Sequence, residues 1–105
     1  MNVVIAREAQ RELLEVWDWN VLHFGVSHAN RYLDYLYGQI EKLAESSSVG
    51  RVVSSRPDLL FVQVKKHSRG HGHVLVYWVA ADTVTVVHVF HTSQDWKGRL
   101  NAEFL

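Results

Sequence analysis

The stretch VLVYWVAADTVTVVHVFHTSQDW, residues 74–96, contains two β-branched and aromatic runs, 74–80 and 84–91, separated by the polar turn Ala81-Asp82-Thr83. Runs of that composition around so short a connection mark an antiparallel hairpin. Side chains alternate along a strand, so Leu75, Tyr77 and Val79 are predicted on one face and Val74, Val76 and Trp78 on the other. In the second strand Val84, Val86 and Phe90 are set against Val87 and Val89. Neither face is polar, so both need cover.

Working outward, residues 2–6 form a short apolar run of strand character, and from Arg7 the spacing becomes helical. Ala9, Leu13, Val16, Trp17 and Asn20 recur three or four apart, with Glu8, Arg11, Glu12, Glu15 and Asp18 predicted around the outside. Gly25 can end this helix in the left-handed conformation, and Ser27 is placed to cap the next. The second helix carries Ala29, Leu33, Leu36, Ile40, Leu43 and Ala44 on one stripe, flanked by Tyr32, Tyr35 and Tyr37. A connection this short implies an antiparallel helical hairpin. Residues 45–58 are serine-rich, with Gly50 and the single proline, Pro57, and read as a surface crossing. Residues 59–66 return to strand composition, and 65–73 form a basic, glycine-punctuated turn. Asp95 is placed to start a short C-terminal helix reaching Phe104, against which Gly98 counts.

The predicted fold class is α+β: an N-terminal strand and an antiparallel helical hairpin packed on an antiparallel sheet, in the order β-α-α-β-β-β. With 105 residues, 48% of them hydrophobic, one domain spanning 1–105 is expected, burying ~60–70% of its unfolded surface. The absence of cysteine excludes disulfides and thiolate zinc sites. No apolar run approaches the roughly 20 residues of a membrane helix, and Met1-Asn2-Val3 opens neither a signal nor a transit peptide, so a cytoplasmic protein is expected. Eleven basic residues balance eleven acidic ones, which gives no bulk argument for direct nucleic-acid binding. No cofactor is expected.

One helical hairpin covers one face of a sheet. The second face calls for the chain's own tail with Trp96, Leu100 and Phe104, a second copy, or a partner chain, and its apolar extent favours a partner.

The ordered set of residues resembles the RelE/ParE superfamily of toxins from type II toxin-antitoxin pairs, and more closely its ParE branch. The resemblance is carried by Ala9-x-x-Glu12-Leu13, Phe24-Gly25, Ala29-x-x-Tyr32-x-x-x-Leu36, Ile40-x-x-Leu43-Ala44, Gly50, Pro57, Gly72-His73-Val74-Leu75-Val76-Tyr77 and Val89-Phe90-His91 followed by Gln94-Asp95. It implies a toxin neutralised by a cognate antitoxin, itself a DNA-binding domain with a disordered tail, in a heterotetramer or beside a toxin homodimer. For the ParE branch it implies DNA gyrase as target and no catalytic centre. Trp19, Tyr77, Trp78 and Phe90 are then the expected antitoxin contacts, and His91, Asp95, Trp96 and Arg99 the expected target contacts. The sequence departs from the family where Thr92, Ser93 and Gln94 stand in place of an intervening basic residue, and where Leu60 or Phe61 replaces an arginine.

The RelE branch implies instead ribosome-dependent cleavage of messenger RNA. That chemistry needs an acid or base and several cations around one phosphate. Lys65, Lys66, Arg69, His91 and Gln94 are the residues of the right kind. Against this, residues 65–73 also read as a solvated turn, and His91 as a strand-end histidine bonded to backbone. A decayed, non-toxic assembly module is the remaining alternative. His67, His71 and His73 raise zinc, since His71 and His73 would share a strand face. Flanking glycines favour a turn and no third ligand is fixed by spacing, so no metal site is expected.

Overall fold

A computed structural model describes residues 1–67 and 71–103. The elements in order are β1 (Asn2–Ile5), α1 (Arg7–Phe24), α2 (Val26–Lys42), a 3-10 turn at Ser47–Val49, β2 (Arg51–Val53), β3 (Arg56–Val64), β4 (His73–Ala80), β5 (Thr83–His91) and α3 (Trp96–Ala102). The strands form one sheet in the order β1-β5-β4-β3-β2. The predicted hairpin is β4–β5 at its centre, turning through Ala81, whose φ of 54° is left-handed.

The sheet is mixed rather than antiparallel, because the helical hairpin carries the chain back over the sheet and β1 lies parallel to β5, Asn2 opposite Thr83 and Ile5 opposite Val86. The serine-rich crossing also holds a strand that the sequence hid. Val52 pairs with Leu60 and Val53 with Arg56 in the β2–β3 hairpin. What pins this segment is Tyr77. Its buried hydroxyl donates to the Ser47 carbonyl at 2.7 Å and accepts from the Gly50 amide at 3.0 Å. A side chain at Gly50 would run into that hydroxyl, so glycine is required by close approach.

The helices cover one face as their spacing demands. Ala9, Leu13, Leu33, Leu36, Ile40 and Leu43 close over Leu75, Tyr77, Val84, Val86 and Val89. Gly25 joins the helices with φ of 90°, and its amide bonds to the Val21 carbonyl at 2.9 Å. Ser27 does not cap α2, which begins one residue earlier at Val26; its hydroxyl instead accepts from Arg31 at 2.9 Å.

Two facing predictions fail for one reason. The pairing slips between Val76 and Tyr77, which face His88 and Val86 respectively, so Val87 is an extra residue in β5. Such a bulge reverses the alternation beyond it. Val89 therefore joins Val84 and Val86 under the helices, while Phe90 turns to the opposite face.

That opposite face is covered by the chain itself, which corrects the expectation of a partner there. The turn after β5 brings α3 back across it, and Trp96 and Leu100 pack on Val53, Leu59, Val74, Val76 and Phe90. Asp95 caps the helix by accepting from the Gly98 amide at 3.1 Å, and a side chain at Gly98 would strike that carboxylate. Glycine here serves the helix start rather than opposing it. Ser55 adds a 2.6 Å bond to Asn101. The cover stops short of Trp78 and Val4, which stay exposed. Phe104 lies outside the described residues.

Candidate functional site

β1 pairs only with the first half of β5, so the second half of that edge faces α1 across a gap. The gap is a cleft of about 630 Å³. Its walls are Trp19, Asn20 and Phe24 of α1 on one side and His73, Val89 and His91 of the strands on the other. Arg11 and Arg99 stand at its rim, and Tyr32 reaches in from α2. Arg11 is already engaged by Glu8 and Glu15.

The open edge is sealed by Glu12. Its carboxylate accepts the Val89 amide at 2.9 Å, taking the place of the strand partner that β1 no longer supplies. Both its oxygens also lie 3.2 Å from His88 Nδ1. The prediction that Glu12 faces water is thereby overturned, for its side chain is buried. Its spacing carried the signal: three after Ala9, beside Leu13 and four before Val16, it sits on the apolar stripe.

Three imidazoles crowd the floor of the cleft. His73 and His91 are directly opposite across the β4–β5 ladder, their rings 5.2 Å apart, and His71 lies 5.3 Å from His91. The Tyr32 hydroxyl meets His73 Nδ1 at 2.6 Å. Burial, then the neighbouring His91, pushes His73 down to about 4, so it is neutral near pH 7 and its Nδ1 accepts the Tyr32 proton. Burial, then Tyr35, pushes Tyr32 up to about 12 and keeps the phenol protonated. His91 is also lowered, by burial and then by His71. Its Nδ1 accepts from the Ser93 amide at 3.1 Å, which puts the ring proton of the neutral form on Nε2.

An aromatic wall continues from the cleft onto the tip of the helical hairpin. Trp19 stacks on His23 at 4.0 Å and meets Phe24 edge-on at 5.7 Å. Leu22, Phe24, Trp19 and Val26 are 81%, 58%, 53% and 53% exposed. Lone exposed apolar residues are ordinary, whereas several exposed together often mark a contact surface.

The sequence match decides the family. A model described as "ParE toxin of type II toxin-antitoxin system, parDE" matches residues 3–96. The chain belongs to the ParE toxin family. This ParE-family chain is 33% identical over 94 residues to "Toxin ParE1" of Mycobacterium tuberculosis, covering 88% of itself and 90% of that relative. It is 31% identical over 91 residues to "Toxin RelE3" of Caulobacter vibrioides, covering 87% and 94%. A chain of "Chromosomal ParDE TA system from P. aeruginosa" shares the fold, with a TM-score of 0.73 at 14% identity over 86% of this chain and 94% of that one. The α+β architecture and the RelE/ParE resemblance thus hold, and this is a type II toxin-antitoxin toxin by family.

Within this ParE-family fold the predicted contact residues separate. Trp19 and Trp78 are exposed, but Tyr77 and Phe90 are buried, Tyr77 beneath the helices and Phe90 beneath Trp96, so neither offers surface. Their places on oily strands concealed which oil was already covered. Of the predicted target residues, His91 and Arg99 line the cleft, Asp95 is spent capping α3, and Trp96 is core. Of the described members of the ribonuclease set, His91 and Gln94 reach the cleft, and Gln94 accepts the His91 amide at 2.8 Å. Lys65 and Lys66 are exposed past the end of β3, outside the cleft lining, and Arg69 lies outside the described residues. Among the described residues no three His, Asp or Glu side chains are arranged to hold a metal ion, and His73 is committed to Tyr32. No described helix is long and apolar enough to cross a membrane.

Proposed function

We propose that this protein is a ParE-type toxin that acts by binding, not by catalysis: it poisons DNA gyrase and is neutralised by a cognate antitoxin. The carrying observation is the set of exposed apolar side chains at the helical hairpin, Trp19, Leu22, Phe24 and Val26, of which Trp19 and Phe24 also line the cleft, which suits a protein partner. Among the described residues the cations that RNA cleavage needs do not gather around one point of the cleft. Arg11 is paired with Glu8 and Glu15, Lys65 and Lys66 stand outside the cleft lining, and Glu12 places a carboxylate on that lining, while Arg99 stands at its rim. Family membership supports the antitoxin. A partner with a DNA-binding half and a disordered, amphipathic tail would fold that tail over the hairpin tip. Meeting gyrase requires the cytoplasm.

Purified protein added to a gyrase supercoiling assay should trap cleaved DNA, and an added antitoxin should abolish the effect. Trp19→Ala with Leu22→Ala should weaken antitoxin binding while leaving the far-UV spectrum unchanged. Sequence-biased cuts in ribosome-bound messenger RNA, with gyrase unaffected, would replace this reading by the RelE-like one. Inertness in both assays would leave the decayed assembly module.

A further inference from the structure

His88 sits where β5, α1 and the end of α3 meet, behind Glu12 and outside the cleft lining. Its ring stacks on Phe90 at 4.6 Å, on the face that α3 covers. Nδ1 lies 3.2 Å from both Glu12 oxygens, and Nε2 lies 2.8 Å from Glu103 Oε1, one residue beyond α3. Nδ1 is hydrogen-bonded to Glu12 and Nε2 makes an ion-pair contact with Glu103, and a carboxylate beside each ring nitrogen favours the imidazolium, the form that carries an N–H on both. The geometry describes a cation held between two anions.

The two arms are unequal. Glu12 is fixed by its second bond to the Val89 amide and is buried, whereas the Glu103 side chain is 44% exposed. Leaving a buried carboxylate unpaired costs far more than releasing one to water. When the ring loses a proton it keeps Glu12, its Nε2 lone pair then faces the Glu103 carboxylate, and Glu103 is the arm that leaves.

We propose that His88 is a proton-operated latch on the C-terminal helix: protonated, it ties α1 to the end of α3 and holds that helix down; deprotonated, it lets α3 lift from Val53, Leu59, Val74, Val76 and Phe90. The charged groups around the ring are Glu8 and Glu12 of α1, with Arg11 beside them, and Arg99 and Glu103 from α3 and its end; β4 presents only Val76 opposite. Burial pulls the imidazole's proton affinity down, but Glu12, then Glu103 and Glu8, outweigh it and raise it above the ordinary 6.5. A raised imidazole stabilises the closed state fully below the ordinary value and ceases to do so as pH climbs through the raised one.

Hydrogen exchange across pH 5.5–9, expressed as protection factors on the full chain, tests the latch. Amides of α3 should lose about fivefold in protection from the acid to the alkaline end, the scale of one half-exposed ion pair, while α2 amides stay level. Glu103→Gln, at an exposed position that does not endanger folding, should show the lower protection at every pH. Protection in α3 that is flat with pH in the natural sequence, or a Glu103→Gln protein that keeps the same pH dependence, would overturn the proposal.

Discussion

Acid should loosen this protein through one residue, His73. Its ring is buried, accepts the Tyr32 hydroxyl at Nδ1 and faces His91 across the ladder, so a proton there has neither water nor a counter-charge. Folding lowers its value from 6.5 to about 4. The unfolded chain therefore binds a proton that the folded chain refuses, and stability falls as pH drops through that interval. At about 1.4 kcal/mol per unit, the full depression amounts to about 3 kcal/mol by pH 4. That is a large share of the roughly 5–15 kcal/mol that holds a domain this size. The test is urea unfolding followed by tryptophan fluorescence at pH 7 and pH 4.5, in the natural protein and in His73→Gln, which keeps an acceptor for Tyr32 but cannot titrate. The natural protein should lose most of that amount on acidification and the variant distinctly less. An equal loss in both would show that the proton goes elsewhere and that the buried pair is not what governs acid stability.

Removing the Tyr77 hydroxyl with Tyr77→Phe strands the Ser47 carbonyl and the Gly50 amide, at a cost of about 1–3 kcal/mol, with faster hydrogen exchange confined to residues 47–50. Ala81→Gly relieves a left-handed alanine and should raise stability by about 0.5–1 kcal/mol, visible as a higher Tm. Leu100→Ala empties the best-buried anchor of α3 and should cost about 2–5 kcal/mol, with increased binding of an apolar dye to the uncovered face.

Much of the fold was legible because periodicity is a direct record of burial. The stripe through Ala29, Leu33, Leu36 and Ile40 and the valine runs on either side of Ala81-Asp82 each admit one local structure. What stayed hidden depends on contacts distant in sequence. Val52 and Val53 look like loop residues among serines until Leu60 and Arg56 pair with them. Glu12 looks solvated until a strand edge 77 residues away needs a partner. In the cleft, His91, Gln94 and Arg99 were accessible to reasoning because they follow a strand end in order. The Tyr32–His73 bond spans 41 residues, and no spacing rule joins them. The choice between a partner and the protein's own tail turns on area, and a helix of 7 residues carries too little periodicity to show how much it covers.

The additional residue at Val87 makes the length of β5 as strict a requirement as its composition. Substituting an apolar side chain there changes a local fit. Deleting the position would act like a shifted reading frame, aiming His88 and Phe90 into the helices, swinging Val89 and His91 out toward Trp96, and leaving Glu12 with nothing to seal.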